Sequence, residues 1–176
     1  SEYEQLAHKA SPDDFVTVSL SVEPDGLYMT FRPQSKDPIP PGNPCLKPDL
    51  AVLTARFDAM KEAVERSDEG LFKAQWHAEG YERNLAGGSG IPGAGVFGQG
   101  SKERWVLEPD MKSARNPLDS GDVWIVSCAV VSLVEQRTLD VVWILIADGK
   151  VLGGGEDRED VGALAWRWAN KAPLAP

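Results

Sequence analysis

A chain of 176 residues, 42% of them hydrophobic, is long enough to bury one core and too short for two comfortable domains. Its 18 Lys and Arg against 27 Asp and Glu leave a net charge of -9, and an acidic surface repels the phosphate backbone, which argues against nucleic acid as a partner. No apolar run nears the ~20 residues of a membrane-spanning helix, since the longest, such as Val141 to Ala147, have strand length; the chain reads as soluble, with no membrane partner.

Residues 15 to 32 alternate as a hairpin. Val16, Val18, Leu20 and Val22 share one face, Pro24-Asp25-Gly26 turns the chain, and Leu27, Met29 and Phe31 resume the pattern. A proline-rich connector follows, from Pro33 through Pro48, which can neither pair as a central strand nor continue a helix. The expected organisation is therefore an extension over 1–46 and a main domain over 47–176. Ser1 at the start fits a removed leader as well as any other origin, so the compartment stays open.

Asp49 is placed to cap a long helix on which Leu50, Leu53, Phe57, Met60 and Val64 recur every three or four residues. Ser67-Asp68-Glu69 caps a second, short helix carrying Leu71, Phe72 and Trp76 and stopping near Gly80, after which Tyr81 to Leu85 reads as a short strand. The run GGSGIPGAGVFGQG, residues 87 to 100, then matches G-x-G-x-x-G twice. A dinucleotide fingerprint requires a buried strand before it and a helix after it, and here the polar GYERNLA precedes and no amphipathic helix follows. The run reads as an irregular loop anchored by Ile91, Val96 and Phe97, and no cofactor is expected.

Arg104 to Glu108 forms a more structured piece, and the strongest β pattern runs from Asp122, with two long strands joined near Glu135-Gln136 and Asp148-Gly149 turning into a third. Asp157 caps a final helix whose Val161, Leu164, Ala165 and Trp168 share one face, with Trp166 off it. Helices grouped ahead of consecutive antiparallel strands indicate an α+β fold.

Few residues point to chemistry. His77-Ala78-Glu79 matches half of a zinc-deaminase signature, but no C-x-x-C follows and His8 and His77 are the only histidines, so no metal is expected. Cys45 and Cys128 fit no metal spacing and form one disulfide or two buried thiols. Six tryptophans are many for this length, and aromatics line cavities as readily as they fill cores. Trp76, His77 and Tyr81 form a pocket wall, or His77 sits at a helix end beside a core tryptophan. Trp105 belongs to the same candidate wall, as do Trp124 and Trp143, which fall on neighbouring strands and are expected on one face with Val126, Cys128, Val141 and Leu145. Glu135, Asp140 and Asp148 read as turn and strand-end charges, Asp140 being the best placed to point inward as a base.

The stretches DLAVLTARFDAMKEAVERSDEGLFKAQWHAEGYERN and GDVWIVSCAVVSLVEQRTLDVVWILIADGKV together resemble the NTF2-like superfamily, with its SnoaL-like and ketosteroid-isomerase-like domains. The resemblance covers about residues 49 to 155, at Phe57, Ser67-Asp68, Phe72, Trp76-His77, Gly80-Tyr81 and Asp148-Gly149-Lys150. It implies a cone, in which a curved antiparallel sheet wraps on the long helix around an apolar cavity, commonly in a homodimer packed through the sheet. The hairpin, the glycine-rich run and the C-terminal helix depart from that pattern, and the steroid isomerases' tyrosine and two acids have no match, so no catalytic residue is carried over. The expected function is binding of a small apolar molecule, with Trp76, His77, Tyr81, Trp105, Trp124 and Trp143 as wall. The alternatives are an isomerase, dehydratase or hydrolase using His77 or Asp140 as general base, and a protein-interaction module using the sheet face or Trp166.

Overall fold

The computed structural model describes residues 16–23, 26–33, 46–85, 97, 104–118 and 120–174, the first two segments by backbone alone. Strands β1 (Val16–Glu23) and β2 (Gly26–Pro33) pair antiparallel in a two-stranded sheet of their own, with Val16 opposite Pro33 and Glu23 opposite Gly26. Most of the proline-rich connector lies outside the described residues.

Helix α1 (Leu50–Glu65) starts where Asp49 accepts the amides of Ala51 and Val52 at 3.1 and 3.3 Å, the side-chain cap that a helix end requires. Its stripe is buried at Leu53, Phe57, Met60, Ala63 and Val64, whereas Leu50, expected on that face, is exposed. Helix α2 (Glu69–Ala74) is capped by Asp68, which accepts from Leu71 at 3.0 Å. It ends earlier than the sequence suggests. Residues 75–77 leave the helix because their backbone finds partners on a strand: Val151 donates to Gln75 O at 2.9 Å and His77 donates to Val151 O at 2.8 Å.

The expected strand at Tyr81 to Leu85 is instead part of helix α3 (Ala78–Leu85). Its buried positions, Gly80, Tyr81 and Asn84, follow helical spacing, but two of the three are not apolar side chains, so the hydrophobic signal for a helix is missing. Gly80 is needed for contact: a Cβ there would stand 2.1 Å from the carbonyl oxygen of Leu152.

Strand β3 (Trp105–Pro109) leads through a short 3-10 turn at Met111–Ser113 into β4 (Val123–Ser132), β5 (Thr138–Ala147) and β6 (Lys150–Gly155). These form a curved four-stranded antiparallel sheet in chain order, with register shifts at Val130/Val131 and Leu145/Ile146. Asp148 and Gly149, with φ of 49° and 81°, make the two-residue turn between β5 and β6, whose handedness matches the twist of the strands. Helix α4 (Arg158–Ala169) begins at Asp157, which accepts from Glu159 at 2.8 Å.

The fold is α+β, and within 46–174 it is layered. On β4, Trp124, Val126, Cys128 and Val130 face the core shared with α1, α2 and α3, together with Val142, Ile144 and Ile146 of β5. The alternate residues Val123, Ile125, Leu145 and Ala147 face a second core completed by Val161, Leu164 and Ala165 of α4. We call these the inner and outer faces. The edge of β6 is not bare, since residues 75–77 bond to it and α3 packs against it at Gly80. Among the described residues no helix is long and apolar enough to cross a membrane.

Candidate functional site

The pleat divides the six expected wall residues. Trp76, Tyr81, Trp105 and Trp124 are all buried and belong to the inner core. Trp143 does not join them. It pairs with Ser127, one residue out of phase with the Trp124–Ile146 pair, so it lies on the outer face, where Arg158 sits 5.2 Å above its ring. The expected grouping of Trp124 with Trp143 and Leu145 therefore fails through strand parity. On β5 it is Val142, Ile144 and Ile146 that share the face of Trp124.

The inner aromatic wall is built around Phe72, which the sequence placed only as a helix residue. Its ring centroid lies 6.1 Å from Trp76, 6.4 Å from Tyr81 and 5.2 Å from Phe97, and Trp76 and Tyr81 meet edge to face at 5.8 Å. Phe97 is the one residue of the glycine-rich run that is described, and it packs on Phe72; Ile91 and Val96 lie outside the described residues. The spacing of α2 fixes Phe72, the break at Gln75 turns Trp76 inward, and the first turn of α3 brings Tyr81 beside both.

Polar groups around this wall are sparse. The Tyr81 hydroxyl donates to Glu69 at 3.3 Å, and burial, then the Glu69 charge and this bond, push its pKa above the ordinary tyrosine range. Buried Gln75 donates to Leu71 O at 3.0 Å and accepts from Arg56 at 2.6 Å. Trp124 donates its indole N–H to Asp122 at 2.8 Å. The Trp76 indole nitrogen is buried and has no hydrogen-bond partner, and the same holds for Arg56 Nε and Arg83 Nε.

His77 turns away from the wall. Its Nε2 lies 2.5 Å from the carbonyl of Ala147, which can only accept, so Nε2 carries the proton, and its ring packs 4.5 Å from that of Trp168 on α4. Asp140 pairs with Val130 and so keeps inner-face parity, but it accepts from its own neighbour Val141 and its carboxyl lies against that of Glu156, whose pKa is raised by hydrogen bonding with, then repulsion from, Asp140. Cys128 is a free, buried thiol, and burial raises its pKa so far that it stays protonated; Cys45 lies outside the described residues. Among the described residues no three His, Cys, Asp or Glu side chains stand together as a metal site.

No known protein family, curated protein or solved structure matches the chain.

Proposed function

We propose that the chain is an NTF2-like domain that binds a small, mostly apolar molecule carrying one hydrogen-bond acceptor, against the wall formed by Phe72, Trp76 and Tyr81. The observation that carries this reading is the Trp76 indole N–H, buried among rings with no acceptor. A buried donor left unpaired costs about 1–3 kcal/mol, and a ligand carbonyl or hydroxyl oxygen offsets that cost while its apolar body meets the aromatic rings. The α+β order with helices α1 to α3 on one sheet face supports the family reading.

The enzyme alternative has less behind it. His77 directs Nε2 to Ala147 and its ring to Trp168, and Asp140 sits against Glu156, so the wall's own titratable pair is Tyr81 with Glu69. As for homodimerisation through the sheet, a second copy would share the outer face with α4, which packs on β5 and β6.

The test is a thermal-shift screen of steroid ketones, polyketide-like phenols and the matching hydrocarbons, followed by 15N indole spectra. A ligand at ~100 times its dissociation constant adds ~2.7 kcal/mol of stability. A ketone that stabilises the protein, moves the Trp76 indole signal downfield and loses affinity in Trp76→Phe supports the reading. A flat response across the whole panel, or hydrocarbons that bind as well as ketones, rejects it.

A further inference from the structure

A concave feature lies at the end of the sheet that carries the β5–β6 turn. An open cleft of about 890 Å³ runs between the end of α4 with the chain that follows it, the β5–β6 turn, the approach to β4 and the first turn of α3. Its floor is apolar, with Val123, Trp168, Ala172 and Leu174, and its rim carries the carboxylates of Glu79, Asp122 and Asp148 against the single ammonium of Lys171.

Three contacts hold this end of the molecule in shape. Asp148 donates its amide to Asp122 O at 2.8 Å, which fixes the two acidic residues side by side. The Trp124 indole, donating at 2.8 Å, orients one oxygen of the Asp122 carboxylate and leaves the other for a second donor. Behind the cleft, the His77 ring lies against Trp168 at 4.5 Å while its Nε2 donates to Ala147, the residue before Asp148. The same histidine therefore ties the aromatic floor to the acidic turn.

We infer that this cleft binds a small organic cation, an alkyl- or arylammonium whose charged head meets Asp122 and Asp148 and whose apolar body lies on Trp168 and Leu174. Charge complementarity selects the occupant: three carboxylates against one ammonium attract a cation, and the concave lining gathers their field. The Trp168 indole offers the apolar body a rigid surface to pack on. An anion meets net repulsion from the same groups.

The experiment is an NMR titration of the full chain with phenethylamine, 2-phenylethanol and phenylacetate, which share a ring and differ in head group. Phenethylamine is expected to shift the Gly121 and Lys171 amides and the Trp168 indole saturably, with about tenfold weaker binding of the alcohol and none of the acid. Asp122→Asn with Asp148→Asn, or Trp168→Leu, is expected to weaken the amine about fivefold or more, while Glu62→Gln with Glu65→Gln on α1 leaves it unchanged. The Asn pair keeps side-chain shape and an acceptor for Trp124, so its effect reads charge rather than folding. Equal affinity for amine and alcohol, unsaturated shifts spread over the acidic surface, or equal weakening by the Glu62/Glu65 pair would overturn the assignment.

Discussion

The two faces of the sheet solve the same burial problem with different materials. The inner face presents Trp105, Trp124, Val126 and Ile144 to three helices that bring Phe57, Phe72 and Tyr81 and to the bridge residue Trp76, whose buried indole N–H it leaves unpaired. The outer face presents Val123, Ile125, Leu145 and Ala147 to the single helix α4, whose Val161, Leu164 and Ala165 close it without large rings, Trp143, Trp166 and Trp168 staying at its margin. The large, rigid rings meet edge to face or tilted and enclose the Trp76 donor among them, whereas the aliphatic side chains of the outer face interdigitate. The difference teaches where a ligand can be recognised on each side: within the aromatic packing on the inner side, and only at the polar end, beside Trp168, on the outer one.

Neighbouring residues on β5 offer the sharpest way to break this comparison, because Ile144 and Leu145 are equally buried and face opposite cores. Ile144→Ala and Leu145→Ala are each expected to cost about 2–5 kcal/mol in denaturant unfolding. If Leu145→Ala proves nearly neutral while Ile144→Ala does not, α4 is not a true core layer.

Glycines on the β6 side give the next largest contrast. Gly80→Ala should destabilise by about 3 kcal/mol, against the ~1 kcal/mol gain expected for alanine in an unobstructed helix, because the new Cβ meets the Leu152 carbonyl, which cannot move without shifting the strand. Gly153→Ala should stay within about 1 kcal/mol of neutral, since its Cβ meets the Leu164 Cδ2 methyl at 2.9 Å and an Arg83 guanidinium nitrogen at 3.9 Å, both ends of side chains that can rotate. Thermal melts of the two variants check the order, and a stabilised Gly80→Ala protein would mean that α3 does not lie on β6 as described.

Caps rank below packing. Asp49→Ala loosens the inner helix and Asp157→Ala the outer one, each by about 1 kcal/mol, as each removes the acceptor of a first-turn amide. Unequal losses measured by chemical denaturation would show which layer contributes more to the cooperative unit.

The smallest effect concerns Glu156 at the end of β6. Its raised pKa means that ionisation is penalised in the folded state, so the penalty is present at neutral pH and relieved as pH falls through the folded pKa. Glu156→Gln is therefore expected to raise the melting temperature slightly at pH 7 and to match the parent protein below the ordinary glutamate pKa of about 4.3. A gain that persists unchanged at pH 3 would point to something other than repulsion from Asp140.

Local signals in the sequence were legible wherever the physics is local. Asp49, Asp68 and Asp157 are caps because a carboxylate beside free amides needs no tertiary partner, and Asp148-Gly149 is a turn because those residues tolerate positive φ. The strands at 123–132 and 138–147 carry the Val, Ile and Trp content of buried sheet, whereas 105–109 was legible only as a structured piece. Helix α3 was not legible, because its buried stripe of Gly80, Tyr81 and Asn84 is defined by what lies against it and not by hydrophobicity. Trp143 was misassigned for a related reason. Trp124 and Trp143 sit on different strands, and only the register of β4 against β5 decides whether their side chains share a face.

By itself, then, the sequence determined the α+β class, the starts of α1, α2 and α4, the β5–β6 turn and the excess of aromatic side chains, since each follows from propensity and from bonds a few residues long. The tertiary structure alone decided which aromatics meet. It ended α2 at Ala74 by offering residues 75–77 a strand to pair with, sent Trp76 and Tyr81 to the inner face and His77 to Trp168, and put Trp143 on the outer face. Those outcomes depend on register and on long-range backbone hydrogen bonds, which no window of sequence contains.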